Sequence, residues 1–394
     1  MSTEILQLTL PAAIDRARFL RDYWQKKPLL MRGALPAHVF SLQPDELAGL
    51  ACETEIESRL IVQQSPQRWL VRHGPFDDAD FSALPEREWT LLVQDVDKFV
   101  PDVARVIEAF DFMPSWRIDD IMISFAADGG GVGPHTDAYD VFLMQGHGRR
   151  RWRLSYRDYS DNDLIPGLEQ RILAHFDTDE DWLLEPGDVL YLPPGIAHWG
   201  TADGDCMTYS LGFRAPSRRE LAADWFQHLV SLADDTRLDD PRDLDVDDRA
   251  RIGGAALSAA QQLLDPLLTA DAGAFADWFG CYVTEPKPQF QVLPPDETWT
   301  QPDLERWIAS DRDLVRHPAA RLAWQESADG LTLFVQGEAR RLSCELRDAV
   351  RILAQTRRLS PALLQQLATM AEGASQLIVD LLNEGVLEPD AEEE

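Results

Sequence analysis

Residues 131–154, GVGPHTDAYDVFLMQGHGRRRWRL, carry the strongest indication of the architecture and chemistry of this chain. A glycine-rich turn leads into His135 and Asp137, which lie two residues apart and precede an apolar run. Residues i and i+2 of an extended segment project from the same face, so this imidazole and this carboxylate can hold one metal ion between them. The stretch therefore predicts part of a metal site, and a third ligand must come from elsewhere in the chain.

The third ligand is predicted in EPGDVLYLPPGIAHWG, residues 185–200. An apolar strand ends there in a Pro-Pro-Gly turn, and the turn presents His198 at the start of the next segment. Two histidines and one carboxylate form the facial triad of a non-haem Fe(II) oxygenase, which leaves coordination positions open for a cosubstrate and for oxygen. The other histidines lack such a context, and we expect them at the surface or in packing.

The pattern of apolar runs divides the chain into parts of different character. Residues 121–215 alternate short apolar runs with turns rich in glycine, proline and aspartate, which is typical of a small antiparallel barrel or double sheet. Residues 217–235 and 251–283 have helical periodicity and sustained apolar faces. Residues 284–299 carry four prolines and predict a linker, and residues 300–388 alternate short strands and helices.

The charge and the absence of certain signals exclude several classes of protein. The chain has 37 lysines and arginines against 68 aspartates and glutamates, a net charge of −31. This disfavours direct binding to nucleic acid and favours attraction of a basic partner. No apolar run approaches the ~18 residues of a membrane span, and the N-terminus lacks the pattern of a signal peptide. The four cysteines are scattered and predict reduced thiols, so we expect a cytoplasmic protein without membrane contact.

An arginine cluster offers a site for a cosubstrate. An Fe(II) triad needs an electron source for oxygen activation, and the usual one is 2-oxoglutarate, whose distal carboxylate needs a cation. Arg149, Arg150, Arg151 and Arg153 follow a predicted hairpin turn at residues 145–148, and a guanidinium suits bidentate binding of a carboxylate. Because the turn resets the alternation of inward and outward residues, the spacing alone does not choose among the four arginines.

Four segments resemble one known family. They are YWQKKPLLMRG (23–33), the block 116–154, residues 185–200, and YSLGFRAP (209–216). They are similar to the bacterial JmjC-type ribosomal oxygenases, which are 2-oxoglutarate-dependent arginine hydroxylases acting on protein sixteen of the large ribosomal subunit. The resemblance spans the chain and implies hydroxylation of the β-carbon of an arginine, with Fe(II), 2-oxoglutarate and O2, by a homodimer.

The resemblance also implies an α+β fold with a defined order of domains. A JmjC oxygenase domain would occupy residues 1–216, with a double-stranded β-helix (cupin) core at about 116–215. A helical dimerisation region at 217–283 and the proline-rich linker at 284–299 would follow. A winged-helix-like domain would form residues 300–394.

Matching the family motif residue by residue implies the roles of the site residues. His135, Asp137 and His198 fall on the iron ligands and so on the catalytic centre. Arg150 falls on the residue that binds the cosubstrate carboxylate, with Ser124 as its hydrogen-bonding partner.

Substrate binding is implied for Asp120, Tyr139 and Met122. A substrate arginine needs an acceptor for its guanidinium, and Asp120 lies two residues from Met122 on the same predicted strand. Asp119 and Asp140 are rival acids, and a purely structural hydrogen bond is the alternative role for Asp120.

Two alternatives to an arginine hydroxylase stay open. The same chemistry could act on a histidine or a methylated residue of another basic protein, although an acid placed for a guanidinium favours arginine. A non-catalytic cupin-like metal-binding module is the other alternative. It needs no cation for a cosubstrate, so the arginine cluster counts against it.

Overall fold

A computed structural model describes residues 6–65, 68–239, 250–269, 272–327 and 330–390. In its first half, short helices cover one large sheet. The helices are α1 (Arg16–Asp22), α2 (Pro44–Leu50), α3 (Asp78–Ser82) and α4 (Pro101–Val106). The strands are β1 (Leu29–Met31), β2 (Ser58–Ser65), β3 (Arg68–His73), β4 (Trp89–Val93), β5 (Ile118–Ala126), β6 (His135–Thr136), β7 (Val141–Ser155), β8 (Glu180–Leu184), β9 (Val189–Leu192) and β10 (Ala197–Phe213).

The sheet is antiparallel throughout and is built around its two longest strands. Its order is β1-β9-β7-β10-β5-β4-β2-β3, with β6 paired to β10 and β8 paired to β7. Strand β7 changes neighbour along its length, because its first part lies beside β9 and its second part beside β8. Strand β10 likewise passes from β6 to β5. Strands β7 and β10 are therefore each shared between the two faces of the fold, which is the double-stranded β-helix that the sequence predicted.

The predicted hairpin at residues 145–148 is not formed. Strand β7 runs through these residues, and its pairing with β10 shifts register between Asp203 and Thr208. Gly148 has a φ of +59°, and a Cβ there would lie 2.0 Å from the Asp205 carbonyl oxygen. The two runs that the sequence separated are therefore one strand, interrupted by a bulge that only glycine allows.

Apolar residues are buried on both faces of β7. Phe142 and Met144 belong to the main core, which extends under the N-terminal helices. Val141 and Leu143 belong to a second cluster inside the double-stranded helix, together with Trp152 and Leu154. The inward residues are thus odd-numbered before the bulge and even-numbered after it, which turns residue 150 toward the interior.

Helices dominate the chain after the sheet. They are α5 (Arg218–Ser231), α6 (Gly254–Leu268), α7 (Ala272–Thr284), α8 (Gln301–Ala309), α9 (Arg347–Gln355), α10 (Pro361–Ala368) and α11 (Ala374–Asn383). Helix α5 begins where the sequence predicted, because Ser217 and Glu220 form a reciprocal capping box. The helical pattern at 251–283 contains two helices, α6 and α7. None of the helices in the described part of the chain has the length and hydropathy of a membrane span.

The C-terminal part has a core of its own. Its strands are β11 (Leu314–Arg316), β12 (Leu322–Ser327), β13 (Gly330–Val335), β14 (Glu338–Leu342), β15 (Arg358–Leu359) and β16 (Leu387–Pro389). They form two three-stranded sheets, and their apolar residues pack with α8 to α11 between Leu304 and Leu387. Arg321 joins this part to the large sheet, because its guanidinium donates to the carbonyls of Ile118 at 3.2 Å and Trp116 at 3.0 Å.

Candidate active site

Three predicted metal ligands meet where β6 pairs with β10. His135 lies opposite His198 in the register, and their ring centroids are 4.3 Å apart. The Asp137 carboxylate lies beside both, with Oδ1 3.9 Å from His135 Nε2 and Oδ2 3.5 Å from His198 Nε2. One ligand atom from each residue can be chosen so that all three lie within 4.8 Å of one another, and the described residues contain no other such group.

The hydrogen bonds of the two histidines leave the correct nitrogen available for a metal. Nδ1 of His135 lies 2.9 Å from the Gly133 carbonyl, and Nδ1 of His198 lies 3.0 Å from the Ile196 carbonyl. A carbonyl only accepts, so Nδ1 carries the proton in both rings and the lone pair is on Nε2. Burial lowers the pKa of His198 to about 4, and the neighbouring His135 contributes to this. Two neutral imidazoles and a carboxylate are a donor set that suits ferrous iron.

Arg150 is a buried cation without a carboxylate partner among the described residues. Its side chain donates from Nη1 to Ser124 Oγ at 3.2 Å and to Thr208 Oγ1 at 3.5 Å. Nη2 donates to the Gly200 carbonyl at 3.4 Å, and Nε has no partner. Arg150 is only 3% exposed, and burial lowers its pKa. A buried guanidinium that lacks a counter-ion and has a free N–H is suited to bind an anion, and a carboxylate matches the planar arrangement of its donors.

The other arginines of the cluster are on the opposite face or at the rim. Arg149 pairs with Asp203 at 2.8 Å, and Arg151 pairs with Asp181 at 2.9 Å. Arg153 lies 5.1 Å from the centroid of the Trp199 ring. Of the four arginines, Arg150 is the one that is buried, a difference that the spacing alone did not show.

A glycine makes room for the Arg150 guanidinium. Gly200 faces Trp152 across the β7–β10 pair, and the Arg150 guanidinium carbon lies 5.0 Å from the centroid of that indole. A Cβ at Gly200 would lie 2.6 Å from the indole and 2.7 Å from Arg150 Nε. Any larger residue would therefore displace the guanidinium from its position.

One cavity of about 1080 Å³ contains the triad, Arg150 and the predicted substrate residues. Asp120 is buried on its wall, and its Oδ2 accepts the Asp95 N–H at 2.9 Å. Burial raises the pKa of Asp120 to about 7, and the carboxylates of Asp95 and Asp119 add to the effect. The structural hydrogen bond considered as an alternative is therefore present, but it uses only one oxygen of the carboxylate.

The two rival acids have structural partners. Asp119 accepts from Arg214 Nε at 3.2 Å. Asp140 is fully buried, where it accepts from the Tyr191 hydroxyl at 2.6 Å and from Arg117 at 3.2 Å. Asp140 is thus part of the packing between the N-terminal helices and the sheet.

Tyr139 and Met122 line the same cavity as Asp120. Tyr139 is 42% exposed, and burial of its hydroxyl together with the Asp137 carboxylate raises its pKa, so the phenol is neutral at pH 7. Met122 packs against the apolar cluster of Ile61 and Ile172. An acid, a phenol and an apolar wall are thus available in one cavity.

Two residues of the cavity were not found by sequence reasoning. Thr208 is the second hydroxyl beside Arg150, and the alternation of β10 residues around it could have indicated it. Lys287 enters the cavity from the predicted linker and lies 2.7 Å from Asp95 Oδ1. The local sequence carries no signal for this contact.

Comparison with known proteins agrees with this geometry. A family model described as the JmjC domain matches residues 105–221, and one described as the ROXA-like winged helix matches residues 267–388. The chain is 39% identical over 302 residues to the ribosomal protein uL16 3-hydroxylase of Escherichia coli (strain K12), which covers 76% of this chain and 79% of that protein. The chain belongs to the JmjC ribosomal oxygenases.

Two further proteins that are similar to this ribosomal oxygenase are described as ribosomal oxygenases themselves. A probable ribosomal oxygenase of Haemophilus influenzae is 41% identical over 215 residues, which is 54% of this chain and 52% of that protein. The solved structure of YcfD, a ribosomal oxygenase from Escherichia coli, in complex with cobalt and 2-oxoglutarate is 31% identical. It covers 98% of this chain and 100% of that one, with a TM-score of 0.77. The family and the fold class predicted from the sequence are confirmed.

Proposed function

We propose that this ribosomal oxygenase is an Fe(II)- and 2-oxoglutarate-dependent dioxygenase that hydroxylates the β-carbon of an arginine in a large-subunit ribosomal protein. The observation that carries the proposal is one cavity that contains a histidine–carboxylate–histidine triad and, beside it, the buried unpaired Arg150. The uL16 3-hydroxylase activity of the Escherichia coli relative and the cobalt and 2-oxoglutarate bound to YcfD support it.

The proposed roles of the residues follow from their contacts. His135, Asp137 and His198 hold the iron through two Nε2 atoms and one carboxylate. Arg150 binds the distal carboxylate of 2-oxoglutarate, and Ser124 orients its guanidinium. When iron and cosubstrate are bound, the centre uses O2 to convert one C–H bond of the substrate to C–OH, while 2-oxoglutarate is decarboxylated to succinate.

The substrate side of the proposal assigns three residues. The free oxygen of Asp120 accepts hydrogen bonds from the substrate guanidinium, Met122 packs against the aliphatic part of the side chain, and Tyr139, whose hydroxyl hydrogen-bonds to Asp137, contacts the substrate through its ring. A side chain held by its charged tip presents its middle, and not its guanidinium, to the triad. This arrangement favours a carbon near the backbone as the reacting atom.

The charge of the cavity supports a basic protein as substrate. Carboxylates outnumber cations on its wall; they are Glu57, Asp95, Asp119, Asp120, Asp137, Glu169, Glu220 and Glu285. With a net charge of −31, the protein attracts basic segments over long distances. We accordingly propose a ribosomal protein partner in the cytoplasm, and we expect no direct binding to nucleic acid.

We also propose a homodimer built from the helices after the sheet. Helices α5 and α6 expose large apolar side chains, and Phe226, Leu257, Leu264 and Leu268 are 52–62% exposed. Apolar faces of this kind usually pack against another helix. A second copy of the chain is the proposed partner.

The proposed domain partition has the four predicted parts, 1–216, 217–283, 284–299 and 300–394, with one change. Helix α7, which lies in the second part, packs against the C-terminal strands. A Cβ at Gly280 would lie 2.3 Å from the Phe334 ring. The proposal therefore groups α7 with the C-terminal part.

Mass spectrometry of the candidate substrate tests the proposed function. The purified protein with Fe(II), 2-oxoglutarate and O2 should add one oxygen atom to the large-subunit ribosomal protein, and fragmentation should place it on an arginine β-carbon. Oxygen on a histidine would favour the alternative substrate instead. Absence of both peptide oxidation and 2-oxoglutarate turnover would favour the non-catalytic module.

A further inference from the structure

The segment after α7 carries a lysine into the cavity. Lys287 lies between Pro286 and Pro288, and each proline fixes its own φ and disfavours helical backbone at the residue before it. The Phe290 N–H donates to the Lys287 carbonyl at 2.9 Å, and the Phe290 ring packs edge-on against Phe99 with centroids 5.6 Å apart. The segment that carries Lys287 is therefore held in place by its two prolines and by these contacts.

The Lys287 ammonium pairs with two carboxylates of the cavity. Its Nζ lies 2.7 Å from Asp95 Oδ1 and 3.3 Å from Asp119 Oδ1. Burial alone would lower the pKa of Lys287, but the carboxylates of Asp120, Asp119 and Asp95 raise it. The lysine thus stays charged, and with Arg214 it compensates the charges of its two partners.

Asp120 is the one neighbouring carboxylate for which the described residues provide no ion pair. Asp97 pairs with Lys98, whereas Asp95 and Asp119 share Lys287. Among the described residues, Asp120 has no ion pair with a lysine or arginine, and its one hydrogen bond comes from the Asp95 backbone. The acid of this group that has no ion pair among the described residues therefore faces the cavity that contains the triad, and the nearby Lys287 charge offsets only part of the rise in its pKa.

We propose that Lys287 is a positioning residue of the substrate site, which compensates Asp95 and Asp119 so that the substrate cation is directed to Asp120. This inference rests on the proposed function, because it assumes an arginine substrate. Without Lys287, Asp95 would lose its ion pair and Asp119 would keep Arg214 alone, so both would compete with Asp120 and the guanidinium would bind in more than one position. A displacement of about 1 Å of the reacting carbon costs a large factor in rate, so cosubstrate would be consumed without product.

The same contacts permit the opposite role for Lys287. Its ammonium could occupy the place of the substrate cation and leave when substrate binds. The two roles differ in coupling, because loss of a positioning lysine raises the amount of 2-oxoglutarate consumed per hydroxylation, whereas loss of a displaced cation tightens peptide binding and leaves that ratio unchanged.

The test compares Lys287→Met, Lys287→Arg and the parent as full-length, iron-loaded protein. Peptide affinity is measured by fluorescence anisotropy of a labelled arginine-containing ribosomal peptide without oxygen. KM, kcat and the ratio of 2-oxoglutarate consumed to peptide hydroxylated are measured with oxygen. Lys287→Met should raise the ratio several-fold, because the guanidinium can then pair with Asp95 or Asp119 as well as with Asp120, and it should not weaken peptide binding, because it removes a positive charge from the site. Lys287→Arg should restore the ratio.

The control is Lys26→Met, which removes an exposed lysine outside the cavity and should leave all values at the parent level. An unchanged ratio in Lys287→Met would overturn the proposal, and an unchanged ratio together with tighter peptide binding would favour the displaced cation. If Lys287→Met does not fold, Lys287→Gln takes its place. A parent protein that binds the peptide but never oxidises it would contradict the proposed function and with it this role of Lys287, whereas an unchanged ratio in an active Lys287→Met variant would contradict the role alone.

Discussion

Removal of the Arg150 guanidinium should separate cosubstrate binding from folding. The side chain is 3% exposed, has hydroxyl and carbonyl partners only, and keeps Nε without a hydrogen bond. A bidentate carboxylate would add two charge-assisted hydrogen bonds, each contributing about 1.5–3 kcal/mol. Ser124 and Thr208 would retain part of this in Arg150→Met, so we expect a loss of about 3 kcal/mol, or roughly a hundredfold in the dissociation constant of 2-oxoglutarate.

Arg150→Met should not lower the free energy of unfolding, although it weakens the binding of 2-oxoglutarate. Replacing a buried charge that lacks a counter-ion by an apolar side chain removes a desolvation cost, so Arg150→Met should unfold no more easily than the parent. Arg149→Met and Arg151→Met are matched controls, since they remove exposed salt bridges worth about 0–1 kcal/mol and should not change 2-oxoglutarate binding.

The assays are isothermal titration with 2-oxoglutarate in the presence of a divalent metal and urea unfolding of the same samples. Equal loss of affinity in all three variants would refute the selection of Arg150. So would a large destabilisation by Arg150→Met, because it would mean that the guanidinium is structurally satisfied before any anion binds.

Three further predictions concern the metal, the substrate acid and the assembly. His135→Ala should abolish binding of one divalent metal per chain, measured by titration, while circular dichroism stays unchanged; full metal binding would contradict the triad. Because burial raises the pKa of Asp120 to about 7, its charge is lost as the pH falls through 7, so KM for the peptide should rise below that pH. Asp120→Asn should lose this dependence and most hydroxylation but keep 2-oxoglutarate affinity; an unaltered pH profile would assign the titration elsewhere. Phe226→Glu with Leu264→Glu should halve the mass measured by light scattering, and a monomeric parent would contradict the proposed dimer.

The triad could be predicted from the sequence because its geometry is local. His135 and Asp137 are two residues apart, and His198 lies at a strand start that a Pro-Pro-Gly turn marks. Antiparallel pairing of two short segments then brings the histidines opposite each other. The strand-rich character of the core was predictable for the same reason, since it follows from short-range alternation.

The inward direction of Arg150 and the contact of Lys287 with Asp95 could not be predicted from the sequence. The inward direction of Arg150 depends on the bulge in β7, which shifts the alternation by one residue and is defined by contacts with β10. Lys287 and Asp95 are 192 residues apart, and their contact exists because α7 packs on the C-terminal strands and directs the following segment back to the sheet. Neither contact leaves a periodic signal in the chain.

The short strand β6 gives the proposed metal a mechanical role as well. Strand β6 has only two residues, His135 and Thr136, and both pair with β10. The chain next to β6 is held by isolated hydrogen bonds, such as the one from the Gly195 N–H to the Asp137 carbonyl at 2.8 Å. Segments with so few attachments open locally at low free energy. An ion shared by β6 and β10 would act as a reversible cross-link that stabilises this corner by ~2.7 kcal/mol at a hundred times its dissociation constant. Removal of the metal by a chelator would then lower the free energy at which this corner opens.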